Sequence, residues 1–155
     1  MANVQMVTPC LWFDTNAEEA ANYYCGVFEN SRIVRTTNYP TEGLADFQKD
    51  FAGKVLTVEF ELAGQRFVGL NGGPLFKFSE AVSFMVNCAD QAEIDYYWER
   101  LSFVPESEQC GWCKDKFGLS WQITPEQRMA DLNPKQFAAL MEMKKIDIAA
   151  LEAAA

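Results

Sequence analysis

Histidine does not occur anywhere in this chain of 155 residues. Its side chain is the one that titrates near neutral pH and the commonest metal ligand in proteins. Without it, the Ser-His and Cys-His pairs that activate nucleophiles in many hydrolases cannot form. Any proton transfer by this protein would therefore depend on a carboxylate or on another less common base.

Basic residues are also few, since 13 lysines and arginines stand against 22 acidic residues and give a formal net charge of −9. A negative surface repels phosphate backbones, which excludes nucleic acid as a partner. No run approaches the roughly 18 apolar residues of a membrane span. The first residues, Met1 to Gln5, lack the basic and apolar pattern of an export signal. We therefore expect a cytoplasmic protein with no membrane partner.

The cysteines are odd in number, whereas a secreted disulfide framework uses an even number. We expect the five of them to be thiols, some buried as small apolar groups. Cys110 and Cys113 form a Cys-x-x-Cys pattern. A redox pair of this spacing sits at the start of a helix, and a zinc site needs a second pair. Because the pattern lies in a predicted strand and no second pair is recognisable, two structural cysteines are favoured.

The first half of the chain carries one strand–helix–strand pattern followed by a hairpin. Residues 55–62 alternate between apolar and polar side chains, which is typical of a strand with one buried face. Asn16 and Glu19 have the spacing of a capping box at a helix start. The predicted elements are a strand at 6–13, a helix at 16–28, and strands at 33–39, 55–62 and 66–71.

The second half starts the same pattern again. A strand at 81–87 precedes a helix that Asp90 caps, and two strands at 109–114 and 119–124 flank the turn 115–118. The matching order predicts an α+β fold of two βαβββ modules in tandem, which form a curled mixed sheet with a cleft. The alternative is a coincidence between two strand–helix segments. The length fits a single domain, residues 1–155. Its predicted parts are module 1 at about 4–74, module 2 at about 79–125 and a C-terminal helical tail at about 126–155.

Several segments, spread over nearly the whole chain, resemble one family. They are Thr8-Pro9-Cys10-Leu11-Trp12-Phe13-Asp14, Asn16-Ala17-Glu18-Glu19-Ala20-Ala21, Leu70-Asn71-Gly72-Gly73-Pro74, Phe117-Gly118-Leu119-Ser120-Trp121-Gln122-Ile123 and Met143-Lys144-Lys145-Ile146-Asp147. This is the PhnB-like family, named 3-demethylubiquinone-9 3-methyltransferase, of the vicinal-oxygen-chelate superfamily, which unites glyoxalases, bleomycin-resistance proteins and dioxygenases. The resemblance implies paired βαβββ modules around a cleft, in a homodimer.

Metal-using members of that superfamily take their ligands from the first and last strands of each module. The resemblance places these positions at Thr8, Ala81 and Gln122, with Asn71 near the remaining one. Alanine cannot ligate a metal, and the other three side chains are neutral and weak ligands. We therefore expect no metal and no cofactor.

The methyltransferase name finds no support in the sequence. A nucleotide-binding domain needs a glycine-rich turn between a strand and a helix. The segment Asn71-Gly72-Gly73-Pro74 follows a predicted strand, but another strand comes next. A tight turn that joins the modules is the interpretation we favour, and a ligand-cradling loop is the alternative.

Three functions fit these observations. The first is a metal-free module that binds a small, partly aromatic or apolar molecule in the cleft. The second is an enzyme in which Glu59 moves a proton while Asn71 and Gln122 polarise an oxygen. The third is a structural or regulatory dimer without a small ligand. The residues expected to contact a ligand are Thr8, Trp12, Thr57, Asn71, Phe76 and Gln122.

Overall fold

The computed structural model describes residues 4–126 and 129–155. The strands are β1 (Cys10–Phe13), β2 (Arg32–Asn38), β3 (Val55–Leu62), β4 (Gln65–Asn71), β5 (Ser83–Cys88), β6 (Trp112–Lys114) and β7 (Ser120–Pro125). The helices are α1 (Ala17–Val27), α2 (Gln91–Leu101), α3 (Pro134–Met141) and α4 (Ile148–Ala153). The chain divides into two compact units between Lys77 and Phe78.

The first unit has the predicted βαβββ order. Its four strands lie in the order β1-β4-β3-β2, with β1 parallel to β4 and the other pairs antiparallel. Helix α1 packs on one face of this sheet, where Val58 and Phe60 are buried. Gly69 permits the close approach, because a Cβ atom added there would lie 3.2 Å from the Cβ of Ala17.

The predicted capping box at the start of α1 is wrong. Asn16 occupies the N-cap position, but its side chain makes no capping hydrogen bond. Its φ of −114° and ψ of 25° lie outside the extended conformation that an N-cap side chain uses to reach the first turn. The N–H of Ala17, the first residue of α1, instead donates to the side-chain oxygen of Asn71, 2.9 Å away on β4.

The second unit repeats the strand–helix order with one strand fewer. Its described strands lie in the order β5-β7-β6, with β5 parallel to β7 and β6 antiparallel to it. Asp90 is the N-cap of helix α2, as predicted, and its carboxylate accepts a hydrogen bond from the Glu93 N–H. The predicted α+β fold with two tandem modules is thus confirmed, with its described strands in two sheets.

The predicted strand 109–114 is shortened to Trp112–Lys114. Cys110 and Gly111 adopt positive φ angles of 40° and 89°, which interrupt the extended chain. Their N–H groups donate to the carbonyl oxygens of Met143 and Lys144, in the C-terminal tail, rather than to a neighbouring strand. The tail thereby takes the hydrogen bonds that a longer β6 would have used.

Two helices form the predicted tail. Asn133 caps α3 by accepting from the Gln136 N–H, and Asp147 caps α4 by accepting from the Ala150 N–H. The tail has its own apolar cluster of Leu140, Ile146 and Leu151. In the described residues no helix is long and apolar enough to cross a bilayer, and α1 and α2 have only 11 residues each.

A buried aspartate fixes the turn between β6 and β7. Asp115 is 1% exposed, and its Oδ1 accepts hydrogen bonds from the N–H groups of Phe117 and Leu119. Its Oδ2 accepts from the indole N–H of Trp121 at 2.8 Å. One carboxylate thus holds both the turn and the following strand, which carries the predicted site residue Gln122.

We expect Asp115→Ala to lower the free energy of unfolding by about 3 kcal/mol or more, because it leaves buried donors without a partner. Urea unfolding of the variant measures this loss. Asp90→Ala is the matched control, since it removes an exposed aspartate that caps α2, and it should cost about 1 kcal/mol. Equal losses in the two variants would show that the buried hydrogen bonds of Asp115 contribute no more to stability than an exposed helix cap.

Candidate functional site

The first sheet has a second face, turned away from α1, which we call the far face. Along β3, Val58, Phe60 and Leu62 are buried, whereas Thr57, Glu59 and Glu61 alternate with them and are only half-buried. Successive side chains of a strand point to opposite sides, so the polar set lies on the far face. The predicted alternation of this strand is confirmed.

The strand pairing aligns the far-face side chains in rows. Trp12 pairs with Leu70, Leu70 with Thr57, and Thr57 with Thr37, so one row crosses all four strands. With strands spaced by about 4.8 Å, the row is about 14 Å long. This length suits a small organic molecule that lies across the sheet.

An aromatic wall stands at one end of this row. The Trp12 indole N–H donates to the carbonyl of Gly73 at 2.9 Å, and its ring meets that of Phe76 at a centroid distance of 4.9 Å. Gly72 lies under the indole, where an added Cβ atom would be 2.4 Å from the Trp12 ring. Gly72 therefore positions Trp12 by close approach, and Gly73 does so by its hydrogen bond. Phe76 is 59% exposed, so the wall has an accessible surface.

Two hydroxyl groups stand at the other end of the row. The Oγ1 atoms of Thr37 and Thr57 are 2.5 Å apart, and either can donate to the other. A hydroxyl carries one donor and two acceptor lone pairs. The pair can therefore still offer one donor and further lone pairs to a third group.

The next row contains the predicted base, Glu59. Cys10 pairs with Val68, Val68 with Glu59, and Glu59 with Arg35. The Glu59 Oε1 atom accepts from Arg35 Nη2 at 2.9 Å, and the side chain of Glu59 is 19% exposed. Its Oε2 atom has no hydrogen bond within the described part of the chain. This oxygen is the free acceptor of the row.

A third row adds further charge to the far face. Glu61 receives hydrogen bonds from Arg32 at 3.1 Å and from Arg66 at 3.3 Å. These two hydrogen bonds hold the pKa of the Glu61 carboxyl below its usual value. Glu61 is thus an acid whose two arginine partners keep it ionised, in contrast to the singly paired Glu59.

Asn71 lies on the opposite face, toward α1. Its Oδ1 accepts from the Ala17 N–H at 2.9 Å, and its Nδ2 donates to the carbonyl of Val55 at 3.2 Å. It is 7% exposed and borders a cavity of about 370 Å³. Both ends of its amide are therefore engaged by the backbone of its own module.

Thr8 and Gln122 fall in different units. Thr8 precedes β1 and is half-buried, with its hydroxyl 3.5 Å from Gln5 Nε2. Gln122 lies on β7 between Met85 and Trp112, and its Nε2 donates to the Ser83 hydroxyl at 2.9 Å. The first module thus brings together Trp12, Thr57, Phe76 and Glu59, while Asn71 faces the helix and Gln122 belongs to the second module.

These side chains do not fit a divalent metal. The Asn71 oxygen already accepts a backbone hydrogen bond, and Ala81 offers no ligand atom. Zinc, iron or manganese would need carboxylate, imidazole or thiolate groups. Over residues 4–126 and 129–155, no group of three or more cysteine, aspartate or glutamate side chains is placed to hold a metal ion.

Sequence reasoning missed the far-face partners Thr37, Leu70 and Arg35. All three lie in predicted strands, but their rows depend on the register of β2 and β4 against β3. Pairing of β2 also shifts between Ile33 and Arg35. A single sequence carries no signal for that bulge.

The fold has relatives among solved structures. A putative 3-demethylubiquinone-9 3-methyltransferase, PhnB protein, from Bacillus cereus is 33% identical, with a TM-score of 0.62 over 78% of this chain and 99% of that chain. Protein PA1353 from Pseudomonas aeruginosa, 16% identical, has a TM-score of 0.56 over 79% of this chain and 98% of its own, and shows the fold alone. The tandem modules are those of the vicinal-oxygen-chelate superfamily.

Within that superfamily the chain belongs to the PhnB-like family. The family model described as 3-demethylubiquinone-9 3-methyltransferase matches residues 5–124. No curated protein matches the chain.

We expect Asn71→Ala to lower the free energy of unfolding by about 2 to 3 kcal/mol. The change leaves the Ala17 N–H and the Val55 carbonyl without their buried partner. Thermal and urea unfolding measure the loss, and Asn87→Ala, at an exposed position of β5, is the control that should stay within about 0.5 kcal/mol. An Asn71 variant as stable as the control would return Asn71 to the set of free ligand-binding groups.

Proposed function

We propose that this protein binds a small, partly aromatic molecule on the far face of the first sheet, without a metal ion. One observation carries the proposal: a single row of the sheet joins the Trp12 and Phe76 wall to the hydroxyl pair of Thr57 and Thr37. Sites for small molecules combine apolar walls with a few placed polar groups in this way.

The row also indicates which chemistry the ligand carries. A planar ring packs against Trp12 and Leu70 and buries apolar surface there. About 10 Å farther along, two strand spacings away, the threonine hydroxyls can bond to an oxygen substituent. An aromatic ring with one or two oxygen atoms on a short arm satisfies both ends.

The absence of a metal in this proposal rests on donor chemistry. The side chains at the superfamily's ligand positions are neutral or alanine, and the Asn71 amide is engaged at both ends. The polar atoms of the far face, hydroxyl and carboxylate oxygens, can hold an organic oxygen by hydrogen bonds alone. Binding therefore needs no ion to bridge the ligand to the protein.

Methyl transfer, the activity in the name of the Bacillus cereus relative, is not part of the proposal. Gly72 packs against the indole of Trp12, Gly73 accepts the indole N–H, and the chain continues from this pair without forming a helix before β5. A nucleotide cofactor needs a glycine-rich turn that opens a helix. The compound in that name, 3-demethylubiquinone, and the proposed ligand both contain an oxygen-substituted ring.

The test uses α-hydroxyacetophenone, a benzene ring with adjacent carbonyl and hydroxyl oxygens. Calorimetry should detect saturable binding, and Thr57→Val should weaken it about tenfold, because one hydrogen bond of about 1.4 kcal/mol is lost. Phe76→Ala should weaken it about threefold to tenfold through loss of ring contact.

Thr36→Val is the matched control, since Thr36 is an exposed threonine on the same sheet whose register partner is the buried Val58. It should leave the affinity unchanged. Acetophenone, which lacks the hydroxyl, should bind the parent protein more weakly than the probe does. The two compounds should bind the Thr57→Val protein with equal affinity. Equal affinity of the probe for the parent and Thr57→Val proteins would rule out the hydroxyl pair as its site.

A second candidate function is proton transfer by Glu59. The observation that favours it is the unbonded Oε2 atom of Glu59, on the same face and one row from the aromatic wall. A carboxylate within reach of a bound ligand can remove a proton from the carbon next to a carbonyl group. The CH2 carbon of α-hydroxyacetophenone, which bears the hydroxyl and is next to the carbonyl group, carries such a proton.

Exchange of that carbon-bound hydrogen for deuterium, followed by NMR in heavy water, tests this candidate. We expect the protein to accelerate exchange and Glu59→Gln to remove most of the acceleration, about 100-fold or more. Glu61→Gln should retain it, because Arg32 and Arg66 already occupy the Glu61 carboxylate. Exchange no faster than in buffer would leave binding as the function of this face.

A further inference from the structure

The second module has a cavity of its own. Its volume is about 490 Å³, and its wall includes Glu80, Glu106, Gln109, Trp112 and Ser120. All of these residues belong to the second unit, whereas the far face belongs to the first. Its size is within the range of small-molecule sites.

One polar atom in this wall has no partner. Ser120 is 1% exposed, and its Oγ is buried without a hydrogen bond to any described residue. An unsatisfied buried hydroxyl costs about 1 to 3 kcal/mol, and native proteins have few of them. A bound group that hydrogen-bonds to Ser120 would remove this cost.

Strand register shows that the hydroxyl lies on the side of the cavity. Ser120 pairs with Lys114 on β6, so the two side chains share one face of the second sheet. The Lys114 ammonium forms an ion pair with Glu80, which is part of the cavity wall. Ser120 and Lys114 therefore both point toward this wall.

The free polar groups of the cavity are rich in acceptors. Lys114 is occupied by Glu80, whereas the Glu106 carboxylate has no cationic partner among the described residues. The Gln109 amide nitrogen donates to the Met141 carbonyl at 2.5 Å, which leaves the Gln109 oxygen as an acceptor. The net charge of −9 adds a general attraction for cations.

The indole of Trp112 gives the cavity an aromatic surface. Trp112 is half-buried on the same face as Ser120, two residues from Lys114 along β6. Indole rings are the best aromatic partners of organic cations. An acceptor-rich wall beside an indole is the combination that binds an ammonium group.

The two thiols of the wall do not make it a covalent site. Burial, reinforced by the negative charges of Asp115 and Glu108, raises the pKa of the Cys113 thiol to about 12. Burial also raises the pKa of Cys110. Both remain protonated at neutral pH, so neither is an activated nucleophile or a thiolate ligand.

We propose that the second-module cavity binds a small aromatic ammonium compound that bears a hydroxyl group. The ammonium meets the Glu106 carboxylate and the Gln109 oxygen, the ring packs on Trp112, and the ligand supplies the missing hydrogen bond of Ser120. This site goes beyond the proposed function, because it lies in the other module and selects a cation, whereas the ligand proposed for the far face is an oxygen-substituted ring without a positive charge.

Tyramine is the probe, and two compounds of nearly the same shape are its comparisons. Tyrosol carries a neutral hydroxyl where tyramine has its ammonium, and 4-hydroxyphenylacetate carries an anion. Calorimetry of the full chain should give saturable tyramine binding, at least fivefold weaker binding of tyrosol, and no binding of the anion at the same concentration. Added salt should weaken tyramine and leave tyrosol unchanged.

Two substitutions locate the site. Ser120→Ala should weaken tyramine about tenfold, while the free protein becomes no less stable, because an unpaired hydroxyl is removed. Glu106→Gln should weaken it up to about fivefold, as expected for an exposed charge. Ser83→Ala is the matched control, since the Ser83 hydroxyl is already bonded to Gln122, and it should leave the tyramine affinity unchanged.

No saturable tyramine binding, equal binding of the anion, or an unchanged affinity in Ser120→Ala would each overturn this proposal. Failure of the first-module site is detected separately, because Thr57→Val should not affect tyramine. Tyramine binding that is lost in Thr57→Val and retained in Ser120→Ala would assign the amine to the far face instead.

Discussion

Asn71, the last residue of β4, forms hydrogen bonds to three other parts of the first module, and the rest of that module depends on this junction. Its oxygen caps α1 at Ala17, its nitrogen holds the start of β3 at Val55, and its backbone carbonyl accepts the Tyr39 hydroxyl at 2.6 Å. The following residue, Gly72, donates to the Phe13 carbonyl at the end of β1. The position of Trp12 on β1 is therefore tied to the same residue that orients the helix.

The two modules satisfy the first N–H groups of their helices by different means. Helix α2 has a local cap, the Asp90 carboxylate, whereas α1 takes its side-chain acceptor from a strand 54 residues later in the chain. A local cap is encoded in adjacent residues and makes few demands on tertiary structure. A remote cap forms only when β4 is in place, so folding of the first module couples the helix to the sheet. The two modules thus share a topology but differ in how far capping of the helix depends on the sheet.

Local patterns in the sequence predicted most of the elements, because alternation and caps act over a few residues. Residues 55–62 form a strand with the predicted bounds, and Asp90 caps α2 as expected. The errors arose where a distant segment decides the outcome. Cys110 and Gly111 leave the strand because the tail accepts their hydrogen bonds, and no local pattern records that contact.

The candidate site shows the same division. That Thr57 and Glu59 lie on one face follows from alternation, but that Thr57 meets Thr37 and Glu59 meets Arg35 follows from a register that a bulge has shifted. The rows then distinguish polar residues with a structural role from polar residues that can bind a ligand, which the residue types alone do not. Asn71 is next to Leu70 in sequence, yet the alternation turns Leu70 to the far face and Asn71 to the helix. There both ends of the Asn71 amide form hydrogen bonds with the backbone. The Glu59 carboxylate on the far face, in contrast, keeps one oxygen without a hydrogen bond to any described residue. The distribution of unused polar atoms, more than the presence of polar residues, is what distinguishes a binding face from a structural one in this fold.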